Sequence, residues 1–152
     1  MKISTKGRYG LRVMLDLATY GSERHVPLRE ISERQNITIK YLEQIITPLL
    51  RDNYVTSFRG NCGGYQLSCK PEEITVGEII RTMEGSLAPV SCLEDDDNIC
   101  PQADKCQTLP IWKNLETLIE EYLDSITLSD LMEGSHETCP LTQGTRGRAA
   151  SR

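Results

Sequence analysis

PLREISERQNITIKYLEQIITPLLRDNYVTSFRGNCGGYQL, residues 27–67, reads as two short helices joined by a tight turn and followed by a hairpin. Pro27 opens the first helix, with Leu28 and Ile31 on one face and Arg29, Glu30 and Glu33 outside. Gln35-Asn36-Ile37 makes the turn, and Thr38 is an N-cap whose hydroxyl accepts a hydrogen bond from an orphan backbone N–H. The second helix is expected from Ile39 to Arg51, and Leu42, Ile45, Ile46, Leu49 and Leu50 form its single buried stripe. Pro48 removes one backbone bond inside it, so a bent or shortened last turn is expected. Strands are expected at Tyr54–Arg59 and Tyr65–Ser68, with Gly60-Asn61-Cys62-Gly63-Gly64 supplying the positive-φ residues of a tight turn.

Helix-turn-helix followed by a β-hairpin is a winged helix, so the fold is read as mainly α with a winged helix-turn-helix that binds DNA. A small α/β domain with a chance helix pair and hairpin is the plainer alternative. The outer face of the second helix carries Thr38, Lys40, Tyr41, Glu43, Gln44 and Thr47. Those residues are polar and lie mostly in the half of a recognition helix that enters the major groove. Glu43 is suited to accept from a cytosine N4 amine, and Arg59 with Gly60 in the wing to enter a narrow minor groove. Thr38, Lys40, Tyr41 and Gln44 supply neighbouring base or phosphate contacts.

The net charge of −5 argues against a DNA binder until it is divided along the chain. Residues 1–70 hold 11 Lys+Arg against 6 Asp+Glu, whereas residues 71–152 hold 6 against 16. The basic half contains the helix-turn-helix, as a polyanion footprint requires. Its excess is modest, so a homodimer that doubles the phosphate contacts is expected. The opening MKISTKGRYG has no apolar signal core and no run is long enough to span a bilayer, which places the chain in the cytoplasm, off the membrane. Six cysteines would be kept reduced there unless they hold metal or sense redox state.

A first helix capped by Ser4 or Thr5 runs to Tyr20, with Leu11, Met14, Leu15, Leu17 and Ala18 as its core face. Lys2, Lys6, Arg8 and Arg12 crowd its start, against the helix dipole, either to meet phosphates or merely solvated. Thr75-Val76-Gly77-Glu78 is a capping box that opens a helix with Ile79, Ile80 and Met83 inward and Gly85 as its stop. A long loop with Cys and Asp follows, and Pro110 starts a longer helix with Ile111, Leu115, Leu118 and Tyr122 at alternating steps of four and three. Trp112, Ile119 and Leu123 widen that stripe, which suits a dimer seam; an intramolecular core helix is the alternative. Thr127-Leu128-Ser129-Asp130 caps a short last helix. The chain is thus expected to divide into a winged helix-turn-helix DNA-binding domain (1–85), a cysteine-bearing sensor loop (86–109), a dimerisation helix (110–133) and a disordered polar tail (134–152).

Several segments carry a specific likeness: Met1-Lys2-Ile3-Ser4-Thr5-Lys6-Gly7-Arg8-Tyr9, Ile31-Ser32-Glu33, Tyr41-Leu42-Glu43-Gln44, Arg59 to Leu67, and Val76-Gly77-Glu78-Ile79-Ile80. Through them, residues 1–133 resemble the iron–sulfur cluster regulators of the IscR type, within the larger Rrf-two group that also holds CymR. The resemblance implies a dimeric winged-helix transcription factor whose long C-terminal helix pairs the subunits. It also implies an iron–sulfur cluster on Cys92, Cys100 and Cys106. Where IscR-like proteins place a histidine ligand three residues after the third cysteine, this chain has Leu109. Where nitric-oxide sensors use a first-helix aspartate, it has Arg8.

The residues themselves point the same way. C-x7-C and C-x5-C spacings do not fit a zinc knuckle, and three thiolates suit iron–sulfur chemistry, most simply [2Fe–2S]. The fourth ligand stays open among Cys139, His136, Asp104, Glu94 and Gln107. The competing regulator is cluster-free, controls cysteine or sulfur metabolism, and answers to a protein or metabolite through the acidic C-terminal half. Glu94-Asp95-Asp96-Asp97 is its docking surface or a solvated run. An enzyme is not supported, since His25 and His136 sit in unrelated segments and no phosphate loop or paired-carboxylate motif is present. Cys62 and Cys69 in the wing are read as ordinary small side chains.

Overall fold

A computed structural model describes residues 2–94 and 100–134. Asp95–Asp97 and the polar tail, with the candidate ligands His136 and Cys139, lie outside the described residues. The elements in order are α1 (Thr5–Tyr20), α2 (Leu28–Gln35), α3 (Ile39–Arg51), β1 (Val55–Phe58), β2 (Gly64–Leu67), α4 (Val76–Glu84), α5 (Leu109–Asp124) and α6 (Leu128–Glu133).

The helix-turn-helix forms where the sequence places it. Thr38 caps α3 through its hydroxyl, which accepts from the Tyr41 N–H, and Asn36 turns the chain in the left-handed region at φ 54°. Leu42, Ile45, Ile46 and Leu49 are buried, and Leu50 is half-buried at the edge of the stripe. Pro48 does not shorten α3: the helix continues to Arg51, and the Asp52 N–H still donates to the Pro48 carbonyl at 3.0 Å. Asn53, at φ 61°, then turns the chain out of the helix.

The wing strands are shorter than expected and pair antiparallel, Val55 opposite Leu67 and Phe58 opposite Gly64. A third segment clamps them. Val26 exchanges both backbone bonds with Tyr65, at 2.8 and 2.9 Å. That approach explains Gly64, where a Cβ would sit 2.6 Å from the Val26 carbonyl carbon and oxygen. Its φ of 157° adds a second reason for glycine.

α1 is the hub. It packs against α2, α3, β2, α4 and α6, so its burial runs wider than one stripe. Val13, Met14, Leu17 and Ala18 are buried, while the expected Leu11 and Leu15 are only half-buried. Asp16 is also buried. The crowd of cations at the start of α1 is offset by an anion from another element: Glu84 accepts from the Ser4 N–H (3.0 Å) and Ser4 hydroxyl (2.7 Å).

The C-terminal half is not one long element. α5 begins at Leu109, with Pro110 in its first turn, and ends at Asp124. α6 folds back onto the first domain: Thr75 bridges Thr127, the Val76 N–H donates to Ile126 (2.8 Å) and the Leu128 N–H to Ile74 (3.0 Å). Leu128 is fully buried in the main core. Residues 128–133 therefore pack into the main core with α1 instead of prolonging α5. The loop at 86–109 is not wholly structureless, since Ser91–Leu93 and Ala103–Lys105 are 3₁₀ turns.

Candidate nucleic-acid interface and cysteine loop

The outer face of α3 is open. Thr38, Lys40, Glu43, Gln44 and Thr47 are exposed, and Arg59 and Gly60 are exposed at the wing. Gly60 adopts φ 117° with no atom within 4 Å of an added Cβ, so conformation alone dictates glycine there. Tyr41 differs from its neighbours. It is half-buried, and its ring meets that of Tyr9 edge-on at 5.9 Å. It therefore fixes α3 on α1 as well as lying at the rim of the outer face. Lys6, Gln44, Thr47, Pro48 and Arg51 border one shallow groove, which brings a cation of α1 beside the exposed side of α3.

Two other cations of α1 are used internally. Arg12 donates to the Gln35 carbonyl (2.6 Å) and side chain (3.1 Å), satisfying a carbonyl at the C-terminal end of α2. Arg8 folds back to the Thr5 hydroxyl at 3.2 Å. Lys6, by contrast, borders the exposed side of α3.

A polar network unseen in the sequence holds the platform under the turn. Arg34 grips buried Asp16 with two bonds (2.7 and 3.0 Å), and the Gln35 amide adds a third at 2.8 Å. Arg34 also donates to Glu30 (3.1 Å), which Arg24 holds with two further bonds (2.9 and 2.6 Å). Hydrogen bonds from Arg24 and Arg34 push the Glu30 carboxyl down to about 2. The hydrogen bond to Asp16 raises the Arg34 guanidinium further above its ordinary value.

α5 has two apolar faces. Ile119 and Leu123 pack with Ile126 against Val76, Ile80 and Leu87, and Arg81 binds Asp124 at 2.5 Å at the same junction. Ile111, Leu115 and Leu118 remain exposed, by 59, 38 and 46%, and Tyr122 is half-buried. The widening of the stripe by Ile119 and Leu123 is thus a separate, intramolecular contact.

Cys92 lies in the first 3₁₀ turn and Cys106 just before α5; with Cys100, all three are half-buried. The Cys106 sulfur is 3.3 Å from the Thr108 hydroxyl. That bond, with backbone N–H groups of Thr108 and Leu109, lowers the Cys106 thiol and favours thiolate. Among the described residues no three His, Cys, Asp or Glu side chains gather around one point that a metal ion would fill. The thiol donors suit a soft metal, while the described residues of the loop form no ready-made cage. Cys62 and Cys69 are exposed.

A family model described as iron-dependent transcriptional regulator, Rrf2, matches residues 3–134. The chain belongs to the Rrf2 family of transcriptional regulators. Over 132 residues it is 41% identical to the HTH-type transcriptional regulator IscR of Aliivibrio salmonicida, covering 87% of this chain and 77% of that one. It is 42% identical to the HTH-type transcriptional regulator CymR of Bacillus subtilis, covering 86% and 89%. The solved structure of that CymR, titled the global cysteine regulator of B. subtilis, superposes with a TM-score of 0.72 over 88% of this chain and 98% of that one. The structure titled T. potens IscR gives 0.69 at 39% identity, over 97% and 94%. This Rrf2 regulator is accordingly a winged-helix DNA-binding protein and not an enzyme. Among its described residues no helix is long and apolar enough to cross a membrane.

Proposed function

We propose that the protein is a homodimeric, operator-binding regulator that reads duplex DNA with α3 and the wing and is controlled through an iron–sulfur cluster at Cys92, Cys100 and Cys106. The observation that carries the DNA half is the open polar face of α3, flanked by Lys6, with Arg59 exposed in the wing. Glu43 is the base reader and Arg59 the minor-groove contact, with Thr38, Lys40, Tyr41, Gln44 and Gly60 around them. Glu43→Ala is expected to relax sequence preference more than it weakens non-specific binding, because a lost base contact discriminates by about 1–3 kcal/mol. If parent and variant enrich the same sites from a random DNA pool, Glu43 is not the reader.

The cysteine half is supported by three half-buried thiols in one loop, one of them held toward thiolate. When bound, a cluster supplies a group sensitive to iron supply and oxidants. The protein contributes the thiols and a packed route away from them. The loop leads into α5, α5 packs on α4, and α4 packs on both α1 and α3. Metal sites are often gathered only on binding, which agrees with thiols that do not yet converge. Cys92→Ala, Cys100→Ala and Cys106→Ala are each expected to abolish visible absorbance in anaerobically prepared protein, while Cys62→Ala and Cys69→Ala leave it unchanged. Full iron and sulfide content in Cys100→Ala would overturn the assignment.

The second reading, a cluster-free regulator of cysteine or sulfur metabolism with a protein or metabolite effector, is favoured by the same lack of convergence among the described residues and by the CymR relative. A colourless anaerobic preparation with no bound iron or sulfide selects it.

A further inference from the structure

The exposed face of α3 is polar with one exception. Ile39, the first residue of the helix, is 45% exposed although its chain is as apolar as those in the core. A β-branched residue at that position is not explained by helix propensity, and Thr38 already supplies the cap. Ile39 stands four residues before Glu43, so the two side chains are neighbours along one edge of the helix, about 6 Å apart. That edge belongs to the N-terminal half, which enters the major groove. Of the groups a base pair shows there, only the thymine 5-methyl is apolar, and an aliphatic side chain is its natural contact.

We infer that Ile39 reads a thymine methyl in each half-site, within two base pairs of the base read by Glu43. The inference rests on α3 being the recognition helix. Burying one methyl against Ile39 is worth roughly a fourfold change in affinity, or about fifteenfold when both half-sites of a dimer lose it. The contact carries no charge, so it adds specificity without adding to the salt dependence of binding.

The test uses the full-length protein and an operator selected from random duplexes. Each thymine is replaced in turn, symmetrically, by deoxyuridine, which removes the 5-methyl and leaves every hydrogen-bonding group in place. The expected result is one symmetric position where uracil weakens binding about fifteenfold, a penalty that falls to about onefold in Ile39→Ala. Ile39→Val, which keeps the β-branch and loses only the δ-methyl, is expected to retain most of it. Ile39 is exposed and alanine is a better helix former, so the variant keeps its fold; circular dichroism verifies this. Selective binding that is indifferent to every uracil, or equally sensitive in parent and Ile39→Ala, overturns the thymine contact and leaves the regulator standing. Failure to select any duplex overturns the recognition-helix reading and the thymine contact together.

Discussion

Leu118→Asp is expected to leave the protein monomeric at micromolar concentration. Leu118 is 46% exposed on a face that also presents Ile111 and Leu115, and no described element covers it. An isolated chain would thus tolerate aspartate there at little cost. The adjoining face of α5 is fixed independently, by Ile119 and Leu123 on the α4 cluster and by Asp124 on Arg81. The substitution therefore acts on association and not on the placement of the helix. In a two-fold seam it appears twice, and burying an unpaired charge costs several kcal/mol, on the order of a thousandfold or more in dimer affinity. Operator binding should fall with it, since a monomer meets only one half-site. Sedimentation equilibrium on Leu118→Asp, paired with circular dichroism to show that the helices persist, is the measurement. A dimer that survives unchanged moves the seam away from α5.

Much of the fold is legible because local rules and tertiary packing agree along residues 27–85. The Thr38 cap, the Thr75–Glu78 box and the α3 stripe each state a helix boundary or a buried face in the sequence, and each forms. Where the reading fell short, tertiary contacts decide. The stripe of α5 looks single, because residues 111, 115 and 118 and residues 119 and 123 together span one broad arc. Only the position of α4 divides it into a packed face and an open one. α6 looks like a terminal appendage, because six residues with a capping box carry no sign of their partner. The bridge from Thr127 to Thr75 and the burial of Leu128 draw it into the core. For the cysteines, residue type gives the donor chemistry, while convergence depends on a loop conformation that spacing does not encode. Asp16 was missed for a similar reason. A carboxylate among core positions looks like a solvent-facing residue until its donors, 18 and 19 residues away, are in place.

Those donors give the second large effect. Arg34→Met is expected to destabilise the fold by about 3–5 kcal/mol, because it strands a carboxylate whose side chain is 0% exposed. Methionine keeps the helix propensity and much of the length of arginine, so lost packing is not the main change. Among the described residues, what goes is two of the three hydrogen bonds to Asp16, leaving the Gln35 amide. Against a total stability of 5–15 kcal/mol for a typical domain, that is a large fraction, equal to a fall in melting temperature of roughly 10 °C. Glu30 loses one of its two arginines as well. Its carboxyl sits at about 2 instead of 4.5, so its stabilisation is complete above about pH 4.5 and fades as pH falls toward 2. The part of the Arg34→Met penalty that runs through Glu30 should therefore shrink in acid. Removing both charges tests what the pair is for. Asp16→Leu with Arg34→Met should recover most of the lost stability, since an apolar pair no longer needs desolvated partners. If the double variant is stable but binds its operator with relaxed preference, the ion pair serves to fix α2 and the turn beneath α3. Urea denaturation showing less than about 1 kcal/mol lost in Arg34→Met would mean that water or the backbone satisfies Asp16 without it.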